Sequence, residues 1–407
     1  MKIAIITSGY LPVPAVLGGA VESLDDYLIN ENEKNHKCEF EIFTCYHPEA
    51  ERIVNLKRNT NAEFTYTPLY IRILDKIIYH TAKDIFKKEK VMSYRYIFQR
   101  LHFISDVSKK LADNEYDKVI IENHASLFMV LKKRDNAKKY KERYYYHLHN
   151  EQRDFYGCED IIRNCKKIMT VSSYISNSIK KELRIIEEKR IEVLRNCVNI
   201  SRFGSKEDKL RAVELRKKYD IQENDKVVLF TGRLSPEKGI QELLLAFKQI
   251  SDLDAKLVIA GGYLSGAEDV KSDYEKKLLE LASSMMDRII FTGFIGYDEM
   301  PSVYLMADIV VVPSIWNDPA PLTVIETISS GIPLITTNSG GITEYANSEC
   351  AIILERNEML VENLTKSIEM LLSDSNKRYE MSYSGKLISR EWTVENYFKN
   401  FMHLIID

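Results

Sequence analysis

The chain has 407 residues, a formal net charge of −3 and 45% hydrophobic residues. That length exceeds what one core usually organises and predicts two domains, and the near-balanced charge excludes a chain that binds nucleic acid through its overall field. No apolar run approaches the roughly 20 residues that cross a bilayer.

The opening run Ile3-Ala4-Ile5-Ile6, followed at once by Thr7-Ser8-Gly9, is too short for a signal peptide and reads as a first buried strand. The cysteines Cys38, Cys45, Cys158, Cys165, Cys197 and Cys350 are scattered, with no C-x-x-C pair. Free thiols in a reducing cytoplasm are therefore expected. Gly18 and Gly19 precede a helix that runs toward Glu31; paired glycines there let backbone approach an anion closely, although a flexible turn has the same composition. Residues 39–46 read as the next strand.

From 69 to 110 the pattern is helical, with aromatics interleaved among basic residues. Residues 72–110 hold ten Lys/Arg against four Asp/Glu. A basic amphipathic segment of this kind is a candidate for resting on an anionic membrane surface, and otherwise is an ordinary solvated helix. Lys83, Lys87, Lys88 and Lys90 are its densest group. Residues 118–121 form a strand ending at Glu122-Asn123-His124, and 143–148 another ending in His147-Leu148-His149-Asn150. Alternation puts His147 and His149 on one face, and His149 lies nearer the strand end. Residues 167–173 read as a strand running into a Ser-capped helix, and 190–194 as the last strand of this half.

The second half restarts the alternation, with strands at 227–231, 256–260, 288–292 and 333–336. Gly232-Arg233-Leu234-Ser235-Pro236-Glu237-Lys238-Gly239 is a turn into the helix 240–250. Residues 309–312 are a buried strand ended by Pro313, and 323–328 a short helix stopped by Gly331 and Pro333. Two carboxylates, Asp318 and Glu326, flank the turn between them. Such a turn lies at a strand's carboxyl end and a helix's amino end, where α/β sheets place ligands and backbone N–H groups suit a phosphate. Helices follow at 358–372, 376–390 and 394–405.

The stretch from Asp318 to Glu326, an acid, seven residues and a second acid, resembles the paired-acid motif of retaining glycosyltransferases of family 4, with Asp in place of the usual Glu. Gly-Arg-Leu-x-x-Glu-Lys-Gly at 232–239 is also similar to that family's signature, and His149-Asn150 matches its His at the end of this strand. The resemblance implies an α/β fold of GT-B type, two Rossmann-like domains with a cleft between them. It implies an acceptor-side domain over 1–199, a nucleotide-sugar domain over 200–389, and a terminal helix over 390–407 crossing back to the first domain. Arg233 and Lys238 would then stabilise the charge of a leaving nucleoside diphosphate in place of a metal. Glu326 would accept from ribose hydroxyls, Asp318 would contact the donor sugar, and His149 would sit beside it. Gly18, Gly19 and Gly232 would face the diphosphate. Pro321 has no N–H, which leaves Leu322 and Thr323, after Ala320, to supply diphosphate amides. Phe294 and Ile295 would face the base. No cofactor or metal is expected, only a nucleotide-sugar donor, UDP the commonest, and a glycan or lipid-linked acceptor in cell-surface or capsular polysaccharide synthesis. A nucleotide-sugar epimerase and a non-catalytic partner subunit are the alternatives. The intact Arg233, Lys238 and Glu326 argue against the second.

Overall fold

Continuous apolar runs, as opposed to alternating ones, mark strands covered on both faces. The runs beginning at Ile3, Val119, Val227, Leu257 and Ile309 all become strands of parallel sheets in the computed structural model. The structure describes residues 1–82, 95–184, 190–251, 254–262 and 273–406. The chain divides into two units, Met1–Leu194 with Tyr397–Asp407, and Arg195–Asn396.

Among the described residues, the first unit holds a seven-stranded sheet in the order β3-β2-β1-β4-β5-β6-β7. Its strands are β1 (Lys2–Ile6), β2 (Glu39–Cys45), β3 (Thr60–Thr65), β4 (Lys118–Glu122), β5 (Tyr144–Leu148), β6 (Ile168–Thr170) and β7 (Ile191–Val193). Its pairings are all parallel. The helices used below are α1 (Ala20–Asn35), α2 (Leu69–His80), α3 (Ile97–Asp113) and α4 (Ser173–Leu183). As the sequence predicts, Ser172 caps α4, its Oγ accepting from Ile175 N at 3.3 Å.

The second unit holds six parallel strands in the order β10-β9-β8-β11-β12-β13. They are β8 (Lys226–Thr231), β9 (Ala255–Ala260), β10 (Ile289–Gly293), β11 (Ile309–Val312), β12 (Leu334–Thr337) and β13 (Ala351–Leu354). Helices α5 (Ile240–Phe247) and α6 (Leu322–Ser330) follow β8 and β11. The final helix α7 (Val394–Ile406) contributes residues from Tyr397 onward to the first unit, where Tyr145 donates its hydroxyl to Ile405 O at 3.1 Å.

In both sheets the strand order reverses once, between β1 and β4 and between β8 and β11. The loops leaving the carboxyl ends of those neighbouring strands turn away to opposite sides, which opens a crevice where ligands of such sheets bind. In the second unit the loops concerned are 232–239 and 313–321, the two that carry the sequence signatures.

Among the described residues, two strands went unread in the sequence, and with them several helices, among them Pro48–Val54, Glu159–Arg163 and Asp273–Ala282. β3 and β13 are edge strands with half-exposed residues, so neither shows the apolar run of a central strand. The helix Asp273–Ala282 buries only Leu278 and Ala282. Among the described residues, the helical stretch expected from 69 to 110 contains two helices: Asp75, buried at the middle of α2, accepts from Phe98 N and Gln99 N at 2.9 Å each and caps the start of α3. Lys83, Lys87, Lys88 and Lys90 lie outside the described residues.

Phe401 and Ile405 of α7 are fully buried, so the returning helix is core and not trim. Truncating Phe401 to Ala should destabilise the first unit by about 3–5 kcal/mol, the usual cost of removing a buried aromatic ring. Urea unfolding followed by tryptophan and tyrosine fluorescence measures this, with an exposed α7 position, Lys399→Ala, as the control expected to cost little.

Candidate active site

In the second unit, close backbone contact holds the two signature loops together. Gly239 has φ +72°, and a Cβ there would lie 1.9 Å from Pro313 O. Ile315 N donates to Glu237 O at 3.0 Å. Gly340, at φ +54°, packs against the backbone of Asn317 and Asp318, and a Cβ would meet Asp318 O at 2.3 Å. Neither glycine tolerates a side chain, because the obstacle is main chain and the conformation is left-handed. Gly341 N donates to Asp318 O at 2.8 Å, Thr337 Oγ1 donates to Ser314 O at 2.6 Å, and Ser339 Oγ donates to Trp316 O. Arg356 donates to Ile315 O and to Asn317 Oδ1. The acid loop is thus pinned from both flanking strands before any ligand arrives.

That pinning brings Lys238 to Asp318. The ammonium donates to Asp318 Oδ2 at 2.6 Å, with both side chains largely buried. It also lies 5.6 Å from the centre of the Trp316 ring. A charge-assisted hydrogen bond of this kind is worth about 1.5–3 kcal/mol. An ammonium has three protons; one is committed here, and two remain for phosphate oxygens. Arg233 is different. Its side chain is 63% exposed and, among the described residues, is paired with Glu237 alone, at 3.8 Å. Gly232 follows β8 directly, beside it. The cationic pair expected from the sequence is therefore one fixed charge and one loosely held one.

Glu326 lies in the second turn of α6, not at its opening as the sequence suggested, and is 5% exposed. Its Oε2 accepts from the Tyr304 hydroxyl at 2.8 Å, and that hydroxyl lies 3.1 Å from Thr231 Oγ1. Burial pushes the Glu326 carboxyl up to about 7, partly offset by the Tyr304 hydrogen bond and by the Arg202 charge. A carboxylate offers about four lone-pair positions, so ribose hydroxyls can be added to the tyrosine contact. α6 begins at Leu322 after Pro321, with no side chain capping it. The first amides of the helix, those of Leu322 and Thr323, carry the partial positive charge that attracts phosphate. Ala320 is buried, and its carbonyl accepts from Asn196 Nδ2 at 3.0 Å. Phe294 is 55% exposed and Ile295 half-buried after β10.

In the first unit, the backbone of Gly18 and Gly19 has the positive φ expected of a glycine loop, +74° and +113°. The space beside Gly19, however, belongs to Glu22: a Cβ on Gly19 would lie 2.2 Å from Glu22 Oε2. Glu22 also accepts from Ser8 Oγ at 2.9 Å, and burial pushes its carboxyl up to about 7. The loop was read as facing a diphosphate, and it holds an acid of its own. His149 follows β5 directly and is 7% exposed, while His147 is fully buried.

Among the described residues, one set of His, Cys, Asp or Glu has donor atoms close enough to share an ion: Glu122, His147 and His149. Each of those atoms already faces another member of the set at hydrogen-bond distance. The sequence also contains an Asp-x-Asp pair, Asp252 and Asp254. Asp252 lies outside the described residues. Asp254 precedes β9, at the amino end of the sheet, opposite the edge where the signature loops emerge.

Residues 212–387 match the family model for glycosyl transferases, group 1. Over 393 residues the chain is 28% identical to YtcC of Bacillus subtilis (strain 168), covering 95% of this chain and 87% of that one. Over 302 residues it is 26% identical to the lipopolysaccharide 1,2-N-acetylglucosaminetransferase of Salmonella typhimurium, covering 73% and 74%. Its fold is similar to that of Anabaena Alr3699/HepE, solved in complex with UDP-glucose, with a TM-score of 0.71 at 17% identity over 100% of this chain and 99% of that one. The chain has a GT-B fold, and within its second unit residues 212–387 resemble the group 1 glycosyl transferases.

Sequence reasoning missed Tyr304, the serines and threonines that tie the acid loop, and Glu122 and Glu22. Tyr304 sits in a short helix 22 residues before its partner Glu326, and no local pattern marks it. Glu122 did carry a signal, a charged residue at the end of an otherwise apolar strand.

The raised carboxyl of Glu326 predicts a pH dependence. The folded state holds its proton up to about pH 7, against 4.5 in an ordinary carboxyl. The stability this proton confers is complete below about pH 4.5 and is lost as pH rises through about 7. Glu326→Gln, which cannot ionise, should therefore gain on wild type between about pH 5 and pH 8, by a margin on the order of 3 kcal/mol at most. Thermal unfolding of both proteins across that range checks the sign.

Proposed function

We propose that this protein is a glycosyltransferase that transfers a sugar from a nucleoside diphosphate sugar to a glycan or lipid-linked acceptor, with retention at the anomeric carbon and without a metal. UDP is the donor nucleotide we favour, and cell-surface or capsular polysaccharide synthesis the setting. The observation that carries this reading is the Lys238–Asp318 pair, 2.6 Å long, held beside the amino end of α6 with Glu326 one turn further on. The UDP-glucose bound to the Anabaena protein supports the donor class, and the Salmonella transferase supports a lipid-carried glycan as acceptor.

In this reading Glu326 accepts from the ribose. The amides of Leu322 and Thr323, with Lys238 and Arg233, take the diphosphate. Asp318, while still holding Lys238, receives hydroxyls of the sugar. The bond from the anomeric carbon to the phosphate oxygen breaks as the acceptor oxygen bonds to that carbon on the same face. The acceptor proton passes to the departing phosphate oxygen. No protein nucleophile is needed. The protein contributes orientation and fixed positive charge where negative charge develops.

Purified protein incubated with UDP-sugars and candidate acceptors should release UDP in the presence of a chelator, and NMR should show the donor's anomeric configuration in the product. Lys238→Ala should lower turnover by an amount equivalent to about 2–4 kcal/mol of transition-state stabilisation. Glu326→Gln should weaken nucleotide binding, while Asp318→Asn lowers turnover with nucleoside diphosphate affinity nearly intact. Activity abolished by chelator and restored by Mg2+ would refute the metal-free mechanism.

We also propose that the first unit rests on an anionic membrane carrying the acceptor. Among the described residues no helix is long and apolar enough to cross a membrane. α2 nevertheless exposes Leu69, Tyr70, Ile73, Leu74 and Ile77, with Arg72 and Lys76 on the same helix. Apolar insertion plus roughly 1 kcal/mol per basic residue near the surface suffices for reversible attachment at modest salt. Sedimentation with vesicles containing anionic lipid should fall on adding salt, and should fall again for the Ile73→Glu, Ile77→Glu double variant. Binding indifferent to lipid charge and to that variant would remove the membrane from the reading.

A further inference from the structure

In the first unit the strand order reverses between β1 and β4. The loops leaving these two strands meet through a hydrogen bond between the Tyr10 hydroxyl and His124 Nε2, 2.9 Å long. The start of α3 joins them. Gln99 Nε2 donates to Gly9 O at 3.2 Å, and Arg100 Nη1 donates to Ser126 Oγ at 3.0 Å. Three stretches distant in sequence thus converge at the carboxyl edge of the sheet, where α/β folds bind ligands. Tyrosines and arginines are layered there. Tyr10 and Tyr96 stack with centroids 5.8 Å apart and planes 2° from parallel. The Arg100 guanidinium lies 5.1 Å from the centre of the Tyr10 ring, and that of Arg95 lies 5.2 Å from the centre of the Tyr96 ring. Two cations therefore belong to one stacked pair.

Among the described residues neither arginine has a carboxylate partner. Glu22 is the acid whose charge reaches Arg100, and it is bonded instead to Ser8 Oγ. A guanidinium stays charged at any physiological pH. An enclosed donor without a partner is costly, and Arg100 Nε is such a donor, buried and unpartnered. Arg100 also stands in the first turn of α3, which contains no acid. The amino end of a helix carries partial positive charge and favours anions, so the arginine and the helix repel each other. Asp75 is committed to the amides of Phe98 and Gln99. Stacking on a tyrosine attracts a cation and cancels none of its charge. What the arrangement is short of is negative charge.

We propose that Arg100 and Arg95, with Ser126 and the stacked Tyr10 and Tyr96, form an anion site within the first unit that binds a phosphate or diphosphate group carried by the acceptor. A guanidinium presents a planar fork from which two phosphate oxygens can accept at once. Of the N–H groups of Arg100, one is committed to Ser126. The Ser126 hydroxyl accepts that bond and keeps its own hydrogen to donate. Two arginines match a group with two negative charges better than the single charge of a carboxylate, which decides for phosphate. The proposal rests on the lipid-linked form of the acceptor in the reading above. It adds that the link is anionic and that the first unit recognises it by itself.

Proton–nitrogen NMR of full-length protein carrying isotope-labelled arginine reads the site directly. A buried Nε–H exchanges slowly with water, so Arg100 gives a signal at neutral pH, and Arg100→Lys assigns it. Inorganic pyrophosphate at millimolar concentration should move that signal to saturation, while NaCl of equal ionic strength should not. The movement should survive in Lys238→Ala, which disables the diphosphate lysine of the second unit. In that background, calorimetry should show Arg100→Gln weakening pyrophosphate roughly tenfold or more, the scale of one charge-assisted contact, with Arg100→Lys intermediate. Farnesyl diphosphate should move the signal at lower concentration than pyrophosphate, and farnesol should leave it in place. A signal unmoved by either diphosphate, or moved equally by NaCl, overturns the site. Glucuronate binding as tightly as pyrophosphate overturns the choice of phosphate. Pyrophosphate binding without farnesyl diphosphate binding overturns the assignment to the acceptor. The titration of wild type needs no glutamine variant, so a variant that fails to fold does not blunt the test. None of these readouts uses sugar transfer. Absence of transfer to any acceptor would therefore refute the function proposed above and leave the Arg100 titration standing.

Discussion

The second unit depends on one constraint, the reversal of strand order between β8 and β11. Two parallel strands that neighbour each other while their connections leave in opposite directions must present both carboxyl-end loops at the same edge. Here that edge is closed until main chain touches main chain, with Gly239 against Pro313 and Gly340 against Asp318. The approach is what permits a lysine on one loop to donate to a carboxylate on the other. Lys238 and Asp318 are 80 residues apart in sequence, and only the reversal joins them.

Rigid backbone has an electrostatic return. Asp318 keeps its amide and carbonyl engaged with Ser339 and Gly341, so its side chain is not free to wander when a ligand arrives. Lys238 arrives at the same place already desolvated in part. Groups held in position before charge develops need little reorganisation when it does, and this is the main way proteins stabilise a leaving anion. Arg233, exposed and loosely paired, supplies the adaptable half of the same charge.

The first unit handles charge differently. Glu22, Asp25 and Glu122 are buried near one another, and their mutual repulsion and burial are resolved in two ways. Glu22 and Asp25 are pushed up and hold their protons more readily. Glu122, flanked by two imidazoles, stays ionised. One cluster therefore contains two acids pushed toward their protonated form and one held toward its carboxylate, the arrangement by which environment separates the roles of like groups.

Much of this was legible in the residues themselves. Central parallel strands are buried on both faces and announce themselves as apolar runs. A serine before a helix, a proline after a strand and a glycine where main chain meets main chain carry their physics locally, as Ser172, Pro313 and Gly239 show. The paired acids and the Arg–Lys turn were readable because their spacing is short. What stayed hidden was set by neighbours distant in sequence. Edge strands β3 and β13 lack the burial that writes a pattern. Tyr304 becomes the partner of Glu326 only when its helix packs beside α6, and Glu122 gains its two histidines only through the register of β4 with β5. Sequence determined which residue types stand at the strand ends. Tertiary structure alone decided which of them are desolvated and which are paired, because burial and hydrogen-bond partners are properties of surroundings that the chain does not possess until it folds.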